Sequence, residues 1–456
     1  MQKLLELSQL LAIVIFVVMF IAIIIGKVHR VVPALIGAAL TIFIVFLVIM
    51  KSPEAISNVL NLGQIGELRF WISGKEHIES HGVSWQTIIF IGGMMVMVEG
   101  LGAVGFFRWL CLLVAKLVNY QVIPILITFM LLSGFLSMFI SSITVLLFLT
   151  AVMIELAHLL KFDPVPMIIS MIFASNVGGA ATMSGDPPNI IIGTALGYTF
   201  MDFAVNAGFI AWAGMLLSLG FFYLVFRKTI AAAQGEPNTS PNHYPEPEEA
   251  ITNPLLFKLN TAIFALVIVL IVSHAATGLS VALIGVIAAV LTLLVAFKNI
   301  SHIMKGVDWQ TLLFFFGLFI VVGGLEETGL LKVLAQYISE TSGGNIILVI
   351  PIILWISAFA SAFVDNIPFA AAMVPVISNL ARTTGLPVST LAWTLALGTD
   401  IGGNATPIGA SANVVGTAIA EKEGYPISWS RFLKYAVPAT LIVVALSWLL
   451  LLIRYS

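Results

Sequence analysis

The sequence predicts an all-α polytopic membrane protein, an inverted repeat of five transmembrane helices, each half with a re-entrant hairpin and a broken helix. Three observations predict it. The 456-residue chain is 60% hydrophobic and 9% charged, with a mean hydropathy of +1.10, whereas soluble domains carry about 25% charged residues. It lacks the polar surface to cover a water-soluble particle. Second, SNVGGAATMSGDPPNIIIG (Ser175 to Gly193) lines up without a gap on TDIGGNATPIGASANVVGT (Thr399 to Thr417), at a constant offset of 224 positions. Third, glycines, prolines and carboxylates interrupt these apolar segments where hydrocarbon penalises them, and the interruptions are built twice.

The same offset carries Trp85-Gln86-Thr87 onto Trp309-Gln310-Thr311, Gly105 onto Gly329, and SMFISS (Ser137 to Ser142) onto SAFVDN (Ser361 to Asn366). A bundle with ordinary kinks can use small residues at its interfaces. It does not predict a gapless duplication of the breaks.

Spans of roughly 20 apolar residues are expected at 8–26, 31–50, 85–103, 203–226, 259–275, 279–297, 310–325 and 432–453. Lys3 followed by Leu10 to Ile25 has the outline of a signal peptide. Lys27, His29 and Arg30 follow in place of a small-residue cleavage site, so a first transmembrane helix is expected. The segments 164–200 and 388–420 are long enough to span but carry the duplicated break. Those at 121–160 and 345–380 are apolar with polar tips, Ser141-Ser142 and Asp365-Asn366, which suit re-entrant hairpins ending inside protein. The division is a first repeat over 1–233, a cytoplasmic linker rich in Pro, Asn and Glu over 234–254, and a second repeat over 255–456. The segment 51–83, with Arg69-Phe70-Trp71, His77 and His81, has no second-half counterpart of similar length and is expected to be interfacial or external.

Five crossings per half force the second repeat to start from the opposite side. This arrangement puts 13 of the 20 Lys and Arg on one side and 7 on the other. The positive-inside rule makes the first side cytoplasmic, with both termini outside. The hairpins then enter from opposite faces and their tips approach near the midplane. A net charge of −2 without a Lys/Arg-rich run offers nothing to nucleic acid. A single cysteine, Cys111, excludes an intramolecular disulfide and is a poor basis for metalloid chemistry. The carboxylates lack a nucleophile–base constellation, so an enzyme is not expected and no cofactor is implied.

Carboxylates at membrane depth mark functional sites, and three sit in motif positions: Asp186, Asp365 and Asp400. Their repeat partners are Ala410, Ser141 and Asn176, so the scaffold is symmetric and the charge is not. Around them lie the hydroxyls of Ser141, Ser142, Thr144, Thr182 and Thr406, and the amides of Asn176, Asn189, Asn366, Asn404 and Asn413. Hard oxygen ligands with one or two carboxylates suit a desolvated sodium ion, placed at Asp365, Asp400 and Asn176; a buried carboxylate can alternatively carry a proton. Asp186 precedes Pro187-Pro188 and can instead serve as a helix cap. No Lys or Arg falls in the four motif segments, which favours a cation, a proton or a neutral solute over a multivalent anion. Glu155 and His158, near Lys161, are expected at a cytoplasmic rim.

The stretches SSIT and DNIP at the hairpin tips, with NVGGAATMSGDPPNIIIG and DIGGNATPIGASANVVG on the broken helices, resemble the ion transporter superfamily. Within it they are most similar to the group of arsenite permeases, NhaD-type sodium/proton antiporters and the melanosomal P protein. The resemblance runs from about residue 10 to 453. It implies a homodimer and an elevator motion in which hairpins and broken helices move as a unit. Relatives commonly carry Asp-Asn in the first hairpin, where this chain has Ser141-Ser142. The expected function is ion-coupled secondary transport, by sodium/proton antiport or sodium linkage, in a prokaryotic inner membrane. Permeation of arsenite, antimonite or a small anion is the alternative, and a gated channel a third reading.

Overall fold

The computed structural model describes residues 2–72, 82–233 and 244–455. His77 and His81 of the 51–83 segment, and positions 234–243 of the linker, lie outside the described residues. Among the described residues, nine helices are long and apolar enough to cross a membrane, from Glu6–Ile25 to Trp429–Tyr455. The protein is an all-helical integral membrane protein.

Helix boundaries recur at the sequence offset. Trp85–Ala103 answers to Trp309–Glu327, and Ser142–Leu160 to Asn366–Thr384. Each expected hairpin has two helical arms: Val122–Leu136 with Ser142–Leu160, and Ile346–Phe363 with Asn366–Thr384. Each broken segment has two half-helices: Val165–Gly179 with Pro187–Leu196, and Val388–Gly402 with Ser411–Lys422. Two helices were not expected, Phe106–Leu117 and Leu330–Ser342. They are amphipathic and shorter than a span, so a search for apolar runs passes over them. Each follows a glycine with positive φ, Gly105 at 83° and Gly329 at 75°, where a side chain would strain the turn. The second span also departs from plain helix, passing from Val31–Leu40 into a π-helix over Thr41–Met50. The segment after residue 50 holds three short helical turns, Pro53–Leu60, Leu62–Gly66 and Leu68–Trp71.

Packing sorts the helices into two bodies. In the first, Trp85–Ala103 lies against Val281–Val295, and Trp309–Glu327 against Val31–Leu40 and its continuation. Glycines permit the approach: Gly93 faces the Gly285 backbone and Gly317 the Ala34 backbone, while Gly100 meets Thr292 and Gly324 meets Thr41. This pairing of small residues replaces the hydrophobic drive that lipid removes. The central pair runs antiparallel, since the Trp85 ring meets Phe316 at 5.8 Å and Gly92 lies against Leu312.

The second body holds the hairpins and broken helices. Hairpin arm Val122–Leu136 packs on Val165–Gly179, and Ile346–Phe363 packs on Val388–Gly402. The halves interlock here as well. Ser142–Leu160 packs on Ser411–Lys422, and Asn366–Thr384 on Pro187–Leu196. Gly178 touches the Gly134 backbone and Gly402 the Ala358 backbone, so each crossing is again closed by a glycine.

Candidate functional site

A helix that stops inside the protein leaves carbonyls without helical partners. Both breaks meet this demand in the same way. Asn189 Nδ2 donates to the carbonyls of Gly179 and Thr182, each at 3.0 Å. Asn413 Nδ2 donates to those of Gly403 at 2.8 Å and Thr406 at 2.7 Å. The two threonines turn their hydroxyls outward to the hairpins: Thr182 donates to the Met138 carbonyl and Thr406 to that of Ala362. Ser137 and Ser175 share a 2.6 Å hydrogen bond, and Ser361 donates to the Thr399 carbonyl at 2.6 Å. Four of the residues expected to line an ion site, Asn189, Asn413, Thr182 and Thr406, thus spend their donors on holding the breaks in shape.

The carboxylates gather beside these clasps. Asp186 stands at the cap position of Pro187–Leu196 but makes no capping bond to that helix. Its Oδ1 instead accepts from the Ser142 hydroxyl at 2.5 Å and the Ser142 amide at 3.3 Å. The helix-cap reading is therefore replaced by a link between the broken helix and the first hairpin tip. Asp400 Oδ1 accepts from Asn366 Nδ2 at 3.2 Å, so the second hairpin tip is also tied to a carboxylate, though from a different repeat position. Asp186 is 1% exposed and Asp400 fully buried, and the two carboxyls lie near enough to interact electrostatically.

Asn176 ties the halves together, donating from Nδ2 to Asn413 Oδ1 at 2.8 Å and to Asn404 Oδ1 at 2.9 Å. Across the repeat its partner Asp400 has the Asn189 side chain beside it. A carboxylate brings no donor to that contact. Four buried oxygens of this cluster accept no hydrogen bond: Asn176 Oδ1, Asp186 Oδ2, Asn189 Oδ1 and Asp400 Oδ2. Asn404 Nδ2 is also without a partner.

Asp365 is placed differently. Its Oδ1 caps its own helix through the Ile367 amide at 3.1 Å. Its Oδ2 accepts from Arg30 Nη1 at 3.0 Å and from the Ser411 hydroxyl at 2.5 Å. Arg30 Nη2 reaches Thr311 at 2.8 Å, and its guanidinium lies over the Phe314 ring at 5.0 Å. The pair is mostly enclosed, with side chains 18% and 12% exposed. Arg30 is the residue at this hairpin tip that sequence reasoning missed. The motif segments hold no cation, yet the fold delivers one to a hairpin tip from 335 positions away. The only local signal was that Arg30, the last of the basic group Lys27, His29 and Arg30, directly precedes an apolar span.

Ser141 and Thr144, at the first tip, line a cleft with Phe90, Met94, Met95 and Val98. A cavity of about 700 Å³ opens at the far end of Trp309–Glu327, lined by Ala195, Leu196, Glu326, Glu327, Lys332 and Arg382 among others. At the corresponding end of Trp85–Ala103, Phe148 stacks on Phe107 at 4.4 Å and lies against Gly102. Their repeat partners, Ala372 and Leu331, are smaller. Glu155 pairs with Arg108 at 2.6 Å on an exposed surface.

Comparison with known proteins follows the same outline. A family model described as a citrate transporter (CitMHS) matches residues 20–398. The chain is 32% identical over 423 residues to an uncharacterized transporter of Mycobacterium tuberculosis, covering 91% of this chain and 98% of that one. It is 26% identical over 460 residues to the human P protein, covering 82% of this chain and 54% of that longer protein. Among solved structures, the YdaH transporter of Alcanivorax borkumensis shares the fold with a TM-score of 0.58 at 12% identity, over 88% of this chain and 86% of that one.

Proposed function

The chain belongs to the citrate transporter family, CitMHS, and on that premise we propose that it is an ion-coupled secondary active transporter whose sodium or proton site centres on Asp186, Asp400, Asn176 and Asn189. The observation that carries this is the set of four buried oxygens without donors. An unsatisfied buried polar group costs about 1–3 kcal/mol, and more if charged, so four together are a structural cost that a ligand repays. A sodium ion takes oxygen ligands of this kind. Protons on the two carboxyls satisfy the same atoms by turning acceptors into donors. One cluster that accepts either is what sodium/proton antiport requires, and sodium-linked transport of a second solute uses the same site.

Alternating access is assigned to the hairpins and broken helices, which interlock into one body beside the scaffold pair. The cavity of about 700 Å³ near Glu326 supports this reading. The 13-to-7 division of basic residues supports both termini outside, and the family resemblance supports a homodimer.

A second reading, a small carboxylate-bearing solute, is favoured by Arg30. Its guanidinium at a hairpin tip removes the objection that no cation stands near the site, and a guanidinium fork matches a carboxylate. Cys111, the sole cysteine, is buried and supplies no thiol to a metalloid.

Purified protein in liposomes, loaded with a pH-sensitive dye, tests the proposal on addition of sodium or lithium, with parallel uptake of citrate, other carboxylates and arsenite. Cation-dependent proton movement or cation-dependent uptake is expected, and Asp400→Asn and Asp186→Asn each lose it. Wild-type rates in both variants would overturn the assignment.

A further inference from the structure

The backbone contacts that build each body repeat between the halves, and the contacts between the two bodies do not. Within the scaffold, Gly93 on Gly285 repeats as Gly317 on Ala34, and Gly100 on Thr292 as Gly324 on Thr41. Within the hairpin body, the Asn189 clasp repeats at Asn413, and the Thr182 bond to Met138 repeats as Thr406 to Ala362. Between the bodies the match fails. Thr87, in the first turn of its scaffold helix, shares a 2.9 Å hydrogen bond with Thr194. Its partner Thr311 would meet Ala418 if the interface were symmetric. It is bridged by Arg30 to Ser411 instead, at 2.8 and 2.5 Å.

Ser411 answers to Pro187, seven residues before Thr194. At 1.5 Å per residue the mismatch is about 10 Å along the helix axis. Its direction is the same from both sides. Thr87 meets a residue far from the first break, near the Glu326 end, because Ala195 and Leu196 line the cavity with Glu326. Thr311, on the side of the helix crossing away from Glu326, meets a residue beside the second break. Both follow if the hairpin body is shifted toward the end where Arg30 lies. The cavity of about 700 Å³ then lies where that body has withdrawn.

We propose that Arg30 is a positioning residue that pins the hairpin body, through Asp365 and Ser411, at one of two stations on the scaffold. The second station brings Thr87 to Pro187 and Thr311 to Ala418, and the clasps and glycine contacts internal to each body are kept in both stations. Arg30 sits on the scaffold side, packed on Phe314, so a shift of about 10 Å separates it from both partners. The inference deepens the transport reading above and rests on it for direction, but its test needs no solute.

In a Cys111→Ser background, the pairs Thr87→Cys with Thr194→Cys and Thr311→Cys with Ala418→Cys are oxidised in native membranes, and cross-linking is read by mass spectrometry. The first pair is expected to close rapidly and the second slowly. Arg30→Gln raises the second rate and lowers the first, by roughly tenfold, Asp365→Asn does the same, and Arg30→Lys returns both toward the parent. The first pair reports folding in each background. A second pair that never closes while the first does, or rates unchanged by both Arg30→Gln and Asp365→Asn, would overturn the proposal. Loss of ion coupling at Asp400 would leave these rates intact, so the two readings fail separately.

Discussion

Asn176 donates to Asn413 Oδ1 at 2.8 Å, and the pair that answers to it across the repeat, Asp400 and Asn189, leaves Asp400 Oδ2 and Asn189 Oδ1 both without a donor. One exchange of amide for carboxylate turns a closed contact into an open one. The symmetric fold thereby carries an asymmetric site.

Asp400→Asn should therefore separate stability from function. The new amide can donate to Asn189 Oδ1 as Asn176 does to Asn413, removing an unsatisfied acceptor pair worth about 1–3 kcal/mol. The expected outcome is a melting temperature in detergent at or above wild type, with coupled transport abolished. A variant that melts well below wild type would show that the carboxylate is needed for the fold.

The two clasps should differ in depth. Asn413→Ala removes bonds to Gly403, Thr406 and Asn176, whereas Asn189→Ala removes those to Gly179 and Thr182. Each stranded carbonyl lies inside the protein, so losses of about 2–4 kcal/mol are expected, with Asn413→Ala the larger. Thermal melting of the two variants side by side checks the order, and equal losses would contradict it.

Gly402→Ala should prevent the second hairpin from seating. A Cβ there would come within 2.7 Å of the Ala358 carbonyl carbon and closer still to its neighbours, all backbone that cannot swing aside. Overpacking of this kind costs about 1–3 kcal/mol or more. Gly220→Ala is the control, because nothing lies within 4 Å of a Cβ at that helical position, and a gain of about 0.5–1 kcal/mol is expected. Yields of folded protein after size-exclusion chromatography distinguish the two, and a well-folded Gly402→Ala would refute the close-crossing account.

Sodium should protect the wild-type fold if it fills the cluster. A rise in melting temperature with added sodium at constant ionic strength is expected for wild type and absent in Asp186→Asn and Asp400→Asn, since a ligand that binds only the folded state stabilises it by mass action. Equal protection of all three would place the cation elsewhere.

Much of this architecture was legible along the chain. The membrane class follows from composition, because hydrocarbon tolerates so few charges. The helix breaks follow from Gly178-Gly179, Pro187-Pro188 and Gly402-Gly403, residues whose backbone chemistry acts within a few positions. Their duplication at a fixed offset places Asp186, Asp365 and Asp400 in matched motif segments of the two halves. Local signals also had limits. The amphipathic helices Phe106–Leu117 and Leu330–Ser342 fall below the length and hydropathy of a span, and nothing in the motif marked Asn189 and Asn413 as clasps.

What the sequence determined by itself is therefore the set of elements and the asymmetry of charge between equal halves, since both are written in contiguous residues and in a gapless alignment. Only the tertiary structure decided which oxygens are left without donors, that Arg30 reaches Asp365, and at what height one body sits on the other. Those depend on contacts between residues hundreds of positions apart. A sliding interface between two self-consistent bodies has more than one register compatible with the same local chemistry, and packing selects among them.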